Sequence, residues 1–202
     1  MTLPKKLYLT SSNPGKLKEF LAIANLAAAG LTLELLPGFR DLPPYPEDSP
    51  TFAENAVGKA LHAANIAEAA VCADDSGLVV PSLGGEPGVR SARYAGQSAT
   101  GTQNIAKLLE AMRTKTGKDR LAYFVCVLAV AQRGRVLAVI TNRVDGTILT
   151  EPRGSGGFGY DPVFYFPPLG KAFAELSSEE KNLHSHRGKA FRRLLDVLPR
   201  ML

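Results

Sequence analysis

The 202-residue sequence has no tryptophan, two cysteines and three histidines. Its longest apolar stretches, such as residues 125–131, fall well short of the roughly 18 residues that a membrane span requires, so no membrane partner is expected. Cys72 and Cys126 both lie in apolar segments, which predicts reduced core thiols rather than a disulfide or a metal pair. No Cys/His spacing makes a four-ligand zinc set, and no G-x-S-x-G elbow supports serine-hydrolase chemistry. The apolar residues 7–9 are too few for a signal peptide. A cytoplasmic protein is the expectation.

Internal repeats, low-complexity tracts and linkers are also missing, so residues 1–202 read as a single domain large enough to bury a substantial core. Glycine and proline together make 33 residues, so loops are prominent. The net charge of +5 invites a nucleic-acid reading, but its distribution argues against one. Residues 171–202 hold seven Lys/Arg against four Asp/Glu, while residues 41–54 hold four acids and no base. A duplex-binding surface needs a concentrated basic face. Separate acidic and basic blocks suit a polyphosphate and its metal better, and no nucleic-acid partner is expected.

Residues 6–11 (KLYLTS) read as a strand, followed by Pro14-Gly15 and a helix over 16–28 whose Leu17, Phe20, Leu21, Ile23 and Ala24 share one face. Residues 32–36 form a second strand, and five prolines between 37 and 50 make the next segment a semi-rigid loop. Thr51-Phe52-Ala53-Glu54 has capping-box form and opens an alanine-rich helix running to about residue 70. A short strand over 71–73 then ends in Asp74-Asp75-Ser76-Gly77. A helix over 102–113, a hairpin of 121–131 with 136–144, a capping box at 177–180 and a closing helix over 188–198 complete the pattern. Helices alternating with strands, plus one long hairpin, predict an α/β fold with a mixed sheet.

Four stretches could carry chemistry. Ser11, Ser12, Asn13, Pro14, Gly15 and Lys16 join a strand to a helix, where backbone N–H groups, the helix N-terminus and a lysine can meet an anion. The stretch is not a Walker A loop, since no Gly-Lys pair has the required flanking residues; it reads equally as a plain helix-entry turn. Asp74 and Asp75, at the carboxyl end of a strand, sit where open α/β sheets bind ligands, and hard oxygen ligands there suit Mg²⁺. The competing reading is an Asx-type turn. Glu47 and Asp48 could complete a metal site, Glu54 reads as the capping acid, and Lys59 could reach a phosphate.

Gly154, Gly156 and Gly159 literally satisfy G-x-G-x-x-G, but Tyr160-Asp161-Pro162 follows where a dinucleotide site needs an opening helix. The loop is better read as presenting Phe158 for stacking and Asp161 as an acceptor for a planar base, against the alternative of Phe158 in the core. Lys181, His184, His186, Arg187 and Lys189 form a dense set of donors suited to carbonyl edges or phosphates; His184 reads as solvated.

Together, SSNPGK (11–16), TFAENAVGKA (51–60), ADDSGL (73–78), GGEPGVRSARYAG (84–96), GFGYDPVF (157–164) and FAELSSEEKNLHSHRGKAF (173–191) resemble the inosine triphosphate pyrophosphatase family, in the family's order and nearly end to end. The resemblance implies hydrolysis of ITP, dITP and XTP to the monophosphate and pyrophosphate, with Mg²⁺, in a homodimer. It implies an elongated mixed β-sheet with flanking helices forming two lobes around a central cleft. By motif, Ser11, Asn13 and Lys16 would bind the triphosphate, Asp75 would hold metal or activate water with Asp74 beside it, and Ser76 would contact substrate. Phe158, Gly159, Tyr160 and Asp161 would line the nucleoside pocket, and Lys181, His186 and Arg187 would read the base. Glu47 is assigned as second metal ligand, with Asp48 the alternative because Glu47-Asp48-Ser49-Pro50 departs from the family's Glu-Glu-Thr-Gly. Arg90, Arg93 and Tyr94 fit either a pocket or a subunit contact. A pyrophosphatase of different base preference and a non-catalytic nucleotide-binding protein are the competing functions.

Overall fold

A computed structural model describes residues 5–11, 13–27, 31–67 and 69–198. Strands β1 (Lys5–Thr10), β2 (Leu31–Leu35), β3 (Val71–Val79), β4 (Leu121–Gln132), β5 (Arg135–Ile148), β6 (Phe164–Phe166) and β7 (Lys171–Ala172) take the order β2-β1-β3-β4-β5-β6-β7. β1 runs parallel to β2 and β3, with Tyr8 opposite both Glu34 and Val71. β6 runs antiparallel to β5 and β7. With helices α1 (Pro14–Ala27), α2 (Phe52–Ala64), α3 (Gly101–Ala111), α4 (Ser178–His184) and α5 (His186–Val197), the fold is α/β with a mixed sheet, as expected.

The chain forms two compact units. The first comprises the described parts of residues 1–75, 126–142 and 187–202, and the second residues 76–125 and 143–186. In the first unit, Leu7 and Leu9 of β1, Phe20 and Ile23 of α1, Leu128 of β4 and Phe191 of α5 make one buried cluster. Phe20 and Phe191 meet with ring centroids 5.3 Å apart, so the α1 stripe read from the sequence buries against α5. Cys72 and Cys126 lie in this cluster as reduced, fully buried thiols, and burial pushes the Cys72 thiol well up. The second unit is built on aromatics: Phe124 lies 4.6 Å from Phe164 and stacks on Phe173, with Tyr94 and Tyr160 in the same core.

Several elements depart from the sequence expectation. β3 runs nine residues instead of three, so Asp74 and Asp75 lie within a strand rather than in a turn after it. Both carboxylates are buried, but a lysine meets each, so the strand continues through them. α2 stops at Ala64, with Asn65 as its C-cap, because alanine propensity alone overextends a helix whose chain must turn back into β3 at Val71. α1 begins at Pro14, two residues early, because the Asn13 side chain caps it; the expected last residue, Ala28, lies outside the described residues. The hairpin forms, with β5 running four residues beyond the expected Val144 to Ile148, and its turn residues Arg133 and Gly134 take φ of 49° and 72°.

Candidate active site

The proline-rich loop before α2 is the part of the first unit that the sequence leaves most open. It lies along α2, and every second residue from 43 to 49 makes a contact. The His62 ring Nε2 is 2.9 Å from the Pro43 carbonyl oxygen. Tyr45 packs over Gly58 so closely that a Cβ built there would stand 2.0 Å from its hydroxyl. Lys59 Nζ reaches Glu47 Oε1 at 3.2 Å. Asn55 Oδ1 accepts from the Ser49 N–H at 3.1 Å, and its Nδ2 donates to the Ser49 carbonyl at 3.2 Å. Residues 43, 45, 47 and 49 thus each meet α2, Pro43 and Ser49 through backbone groups and Tyr45 and Glu47 through their side chains. Thr51 closes the strap as the N-cap, accepting from the Glu54 N–H at 3.2 Å and donating its hydroxyl to Glu54 Oε2 at 2.8 Å.

This strap brings Glu47 to Asp75. Lys59 Nζ lies 2.9 Å from Asp75 Oδ1 as well as 3.2 Å from Glu47 Oε1, so one ammonium holds two carboxylates. Asn55 Nδ2 reaches the other Asp75 oxygen, Oδ2, at 3.4 Å. Burial works against the Lys59 charge, but Asp75, Asp74 and Glu47 outweigh it and raise its pKa. For Asp75 burial is the larger effect; with repulsion from Glu47 it raises the carboxyl above its usual range despite Lys59 and Lys16. Asp48 is exposed, whereas Glu47 is half-buried. A cavity of about 440 Å³ adjoins Glu47 and Lys59, bordered also by Thr10 and walled by Phe39, Leu42 and Tyr45.

Asp74 faces a different partner. Its Oδ2 accepts from Lys16 Nζ at 2.7 Å. Burial would push this carboxyl up, but Lys16 and Lys59 hold it below the usual range, with Arg187 adding to them. Asn13 Oδ1 accepts from the N–H groups of Gly15 and Lys16 at 2.9 and 3.2 Å, and the Asn13 N–H donates to Ser11 Oγ at 3.3 Å. The helix entry therefore engages its own donors locally and presents Lys16 as its charge. Ser12 lies outside the described residues.

In the second unit, Asp161 organises the glycine loop. Its Oδ2 accepts from the Phe158 N–H at 2.7 Å and from Lys181 Nζ at 2.5 Å, and that ammonium lies 4.6 Å from the Phe158 ring centroid. Gly157, at φ 71°, has no room for a Cβ, which would stand 2.1 Å from Asp161 Oδ2. Gly156 donates its N–H to the Ala174 carbonyl at 3.0 Å. These glycines serve close approach, and a single 3-10 turn at Asp161–Val163 follows the loop in place of an α-helix, which agrees with rejecting the dinucleotide reading. Phe158 is half-buried rather than in the core. Tyr160 is buried and donates its hydroxyl to the Ser91 carbonyl at 2.9 Å, and burial raises its pKa.

The remaining candidates divide. His186 is fully buried and stacks on Phe124, with centroids 4.7 Å apart. Arg187 belongs to the first unit, where its Nε donates to Glu19 Oε2 on α1. Ser76 follows Asp75 in β3 and is half-buried. Tyr94 packs in the second core, and its hydroxyl, bonded to Glu86 at 3.0 Å, has its pKa pushed up to about 12 by burial and that carboxylate. Sequence reasoning missed Asn55 and Glu19. The four-residue step from Asn55 to Lys59 was the available signal, since it puts both on one helical face.

The Ham1 family model matches residues 7–197. The chain is 50% identical over 190 residues to a dITP/XTP pyrophosphatase of Geobacillus kaustophilus, covering 94% of this chain and 92% of that one. It is 48% identical over 192 residues to a dITP/XTP pyrophosphatase of Thermus thermophilus, covering 95% and 91%. Among solved structures, a HAM1 protein from Coxiella burnetii superposes with a TM-score of 0.87 at 39% identity, over 97% of this chain and 99% of that one.

Proposed function

Because this chain belongs to the Ham1 family, we propose that it is a dITP/XTP pyrophosphatase, hydrolysing ITP, dITP and XTP to the nucleoside monophosphate and pyrophosphate. The observation that carries the reading beyond the family is the convergence of Glu47 and Asp75 on Lys59. Two carboxylates already hold one cationic group there, and Mg²⁺ needs only one or two carboxylates besides phosphate oxygens and water. The donor set fits that ion, with Glu47 and Asp75 as its ligands. Among the described residues no group of three or more His, Cys, Asp or Glu forms a fuller cage. When bound, Mg²⁺ would neutralise phosphate charge and favour departure of pyrophosphate.

The chain's own residues supply the rest. Asp75, raised by burial, would take a proton from water as the water oxygen bonds to the α-phosphorus and the bond to the pyrophosphate oxygen breaks. Lys16 and Lys59 offset charge on the triphosphate, with Asp74 holding Lys16 in place. Phe158 offers a stacking face, and Asp161 with Lys181 fixes the loop that presents it. A purine 6-carbonyl accepts where adenine donates, so a site supplying donors there leaves them unpaired with ATP, and such mismatches are rejected strongly.

No helix among the described residues is long and apolar enough to cross a membrane. A cytoplasmic homodimer that binds no nucleic acid completes the reading. The test is purified protein with Mg²⁺ assayed against ITP, dITP, XTP, GTP and ATP, separating pyrophosphate from orthophosphate. Pyrophosphate from the first three is expected, with ATP nearly untouched because it lacks the 6-carbonyl, and GTP, which shares that carbonyl, nearly untouched through its 2-amino group. Saturable ITP binding without turnover would favour a non-catalytic binding protein, and turnover of other bases a different specificity.

A further inference from the structure

The contacts between the strap and α2 point to a role for a residue that touches neither substrate nor metal in the reading above. Asn55 is fully buried. Its amide faces two things at once: both backbone groups of Ser49, two residues after Glu47, and the Asp75 oxygen that Lys59 leaves open. One side chain thus ties the loop carrying one carboxylate to the strand carrying the other. Lys59, one turn further along the same helical face, touches the same two carriers, but through their charges. An ammonium can be drawn away by phosphate. A neutral amide bonded to backbone on one side has no such competitor.

We propose that Asn55 is a positioning residue that fixes the strap on α2, and so keeps Glu47 and Asp75 together for one divalent cation. An amide suits this better than a carboxylate. It donates from Nδ2 to Asp75 and to the Ser49 carbonyl while accepting the Ser49 N–H through Oδ1, whereas an aspartate there would lack the donors and repel Asp75. Gly58 serves the same end one turn away, since only a residue without Cβ lets Tyr45 lie against α2. The inference rests on the proposed metal-assisted reaction, and residues that orient metal ligands typically matter by about 10- to 100-fold in metal affinity or activity.

The test compares wild type with Asn55→Ala, Asn55→Asp and Gly58→Ala, reading thermal melting, kcat and KM for ITP, the Mg²⁺ concentration for half-maximal rate, and direct Mn²⁺ binding without nucleotide. The expected result is a rise of roughly 10-fold or more in the Mg²⁺ requirement with a matching loss of Mn²⁺ affinity. kcat should fall while KM for ITP at saturating metal stays within about threefold, because no lost group touches the nucleotide. Asn55→Asp should be impaired despite its matching shape. If Asn55→Ala does not fold, Gly58→Ala decides by the same readouts. Folded variants with wild-type metal requirement and Mn²⁺ affinity would overturn the inference while leaving the proposed function standing. Wild-type protein that neither binds Mn²⁺ nor releases pyrophosphate would overturn both.

Discussion

Lys16 Nζ donates to Asp74 Oδ2 across 2.7 Å, joining the first turn of α1 to the middle of β3. The pair divides labour between two adjacent carboxylates that the sequence presents as equivalent. Strand alternation sends them to opposite faces, and each meets its own lysine. In the proposed reaction Asp74 would hold Lys16 for the triphosphate, leaving Asp75 for the chemistry.

Replacing Asp74 with Asn should therefore weaken the fold. Its carboxyl is held below the usual range, so its contribution is present above the unfolded-state pKa of about 3.9 and is lost as pH falls through the lower folded value. Urea denaturation should show Asp74→Asn less stable by roughly 1–3 kcal/mol at pH 7. The gap should close on acidification. A gap that is constant with pH would contradict the assignment.

Asp75→Asn should behave in the opposite sense. A carboxyl raised in the folded state destabilises that state when ionised, so the wild type carries this cost above its folded pKa and loses it below about pH 3.9. Relative to wild type, the melting temperature of the variant should therefore rise between acid and neutral pH, on top of a pH-independent cost from the Lys59 ammonium that loses its carboxylate, and turnover should be unmeasurable. A difference that stays constant or falls over that range would contradict the raised carboxyl.

Phe158→Ala should raise KM for ITP roughly 5- to 150-fold, the equivalent of about 1–3 kcal/mol for one base stacked on an aromatic ring. Melting should change little, because Phe158 is only half-buried. An unchanged KM would remove it from the nucleoside pocket.

Gly157→Ala should destabilise the second unit and impair ITP binding together. The new Cβ would meet Asp161 Oδ2 at 2.1 Å at a φ of 71°, which disfavours any side chain. Differential scanning calorimetry alongside KM checks this. A variant with wild-type values in both would mean that the loop tolerates displacement of Asp161.

The α/β class, the hairpin, the capped helices α2 and α4 and the buried thiols were legible because periodicity, turn residues and caps act locally. The length of β3 was not. Asp74-Asp75-Ser76-Gly77 reads as a turn until Lys16 and Lys59, 58 and 16 residues away, are seen to meet its carboxylates. The strap was invisible for the same reason: prolines mark the segment as semi-rigid, but only Gly58 and Asn55 show where it lies. Lys181, His186 and Arg187 read as one cluster because they are close in sequence. In the fold Lys181 joins Asp161, His186 stacks on Phe124, and Arg187 pairs with Glu19.

The most direct test of the proposed reaction is hydrolysis of XTP in ¹⁸O-enriched water, with both products analysed by mass spectrometry. Water attack at the α-phosphorus predicts one ¹⁸O atom in the nucleoside monophosphate and none in the pyrophosphate. Label in the pyrophosphate, or orthophosphate as the primary product, would contradict it.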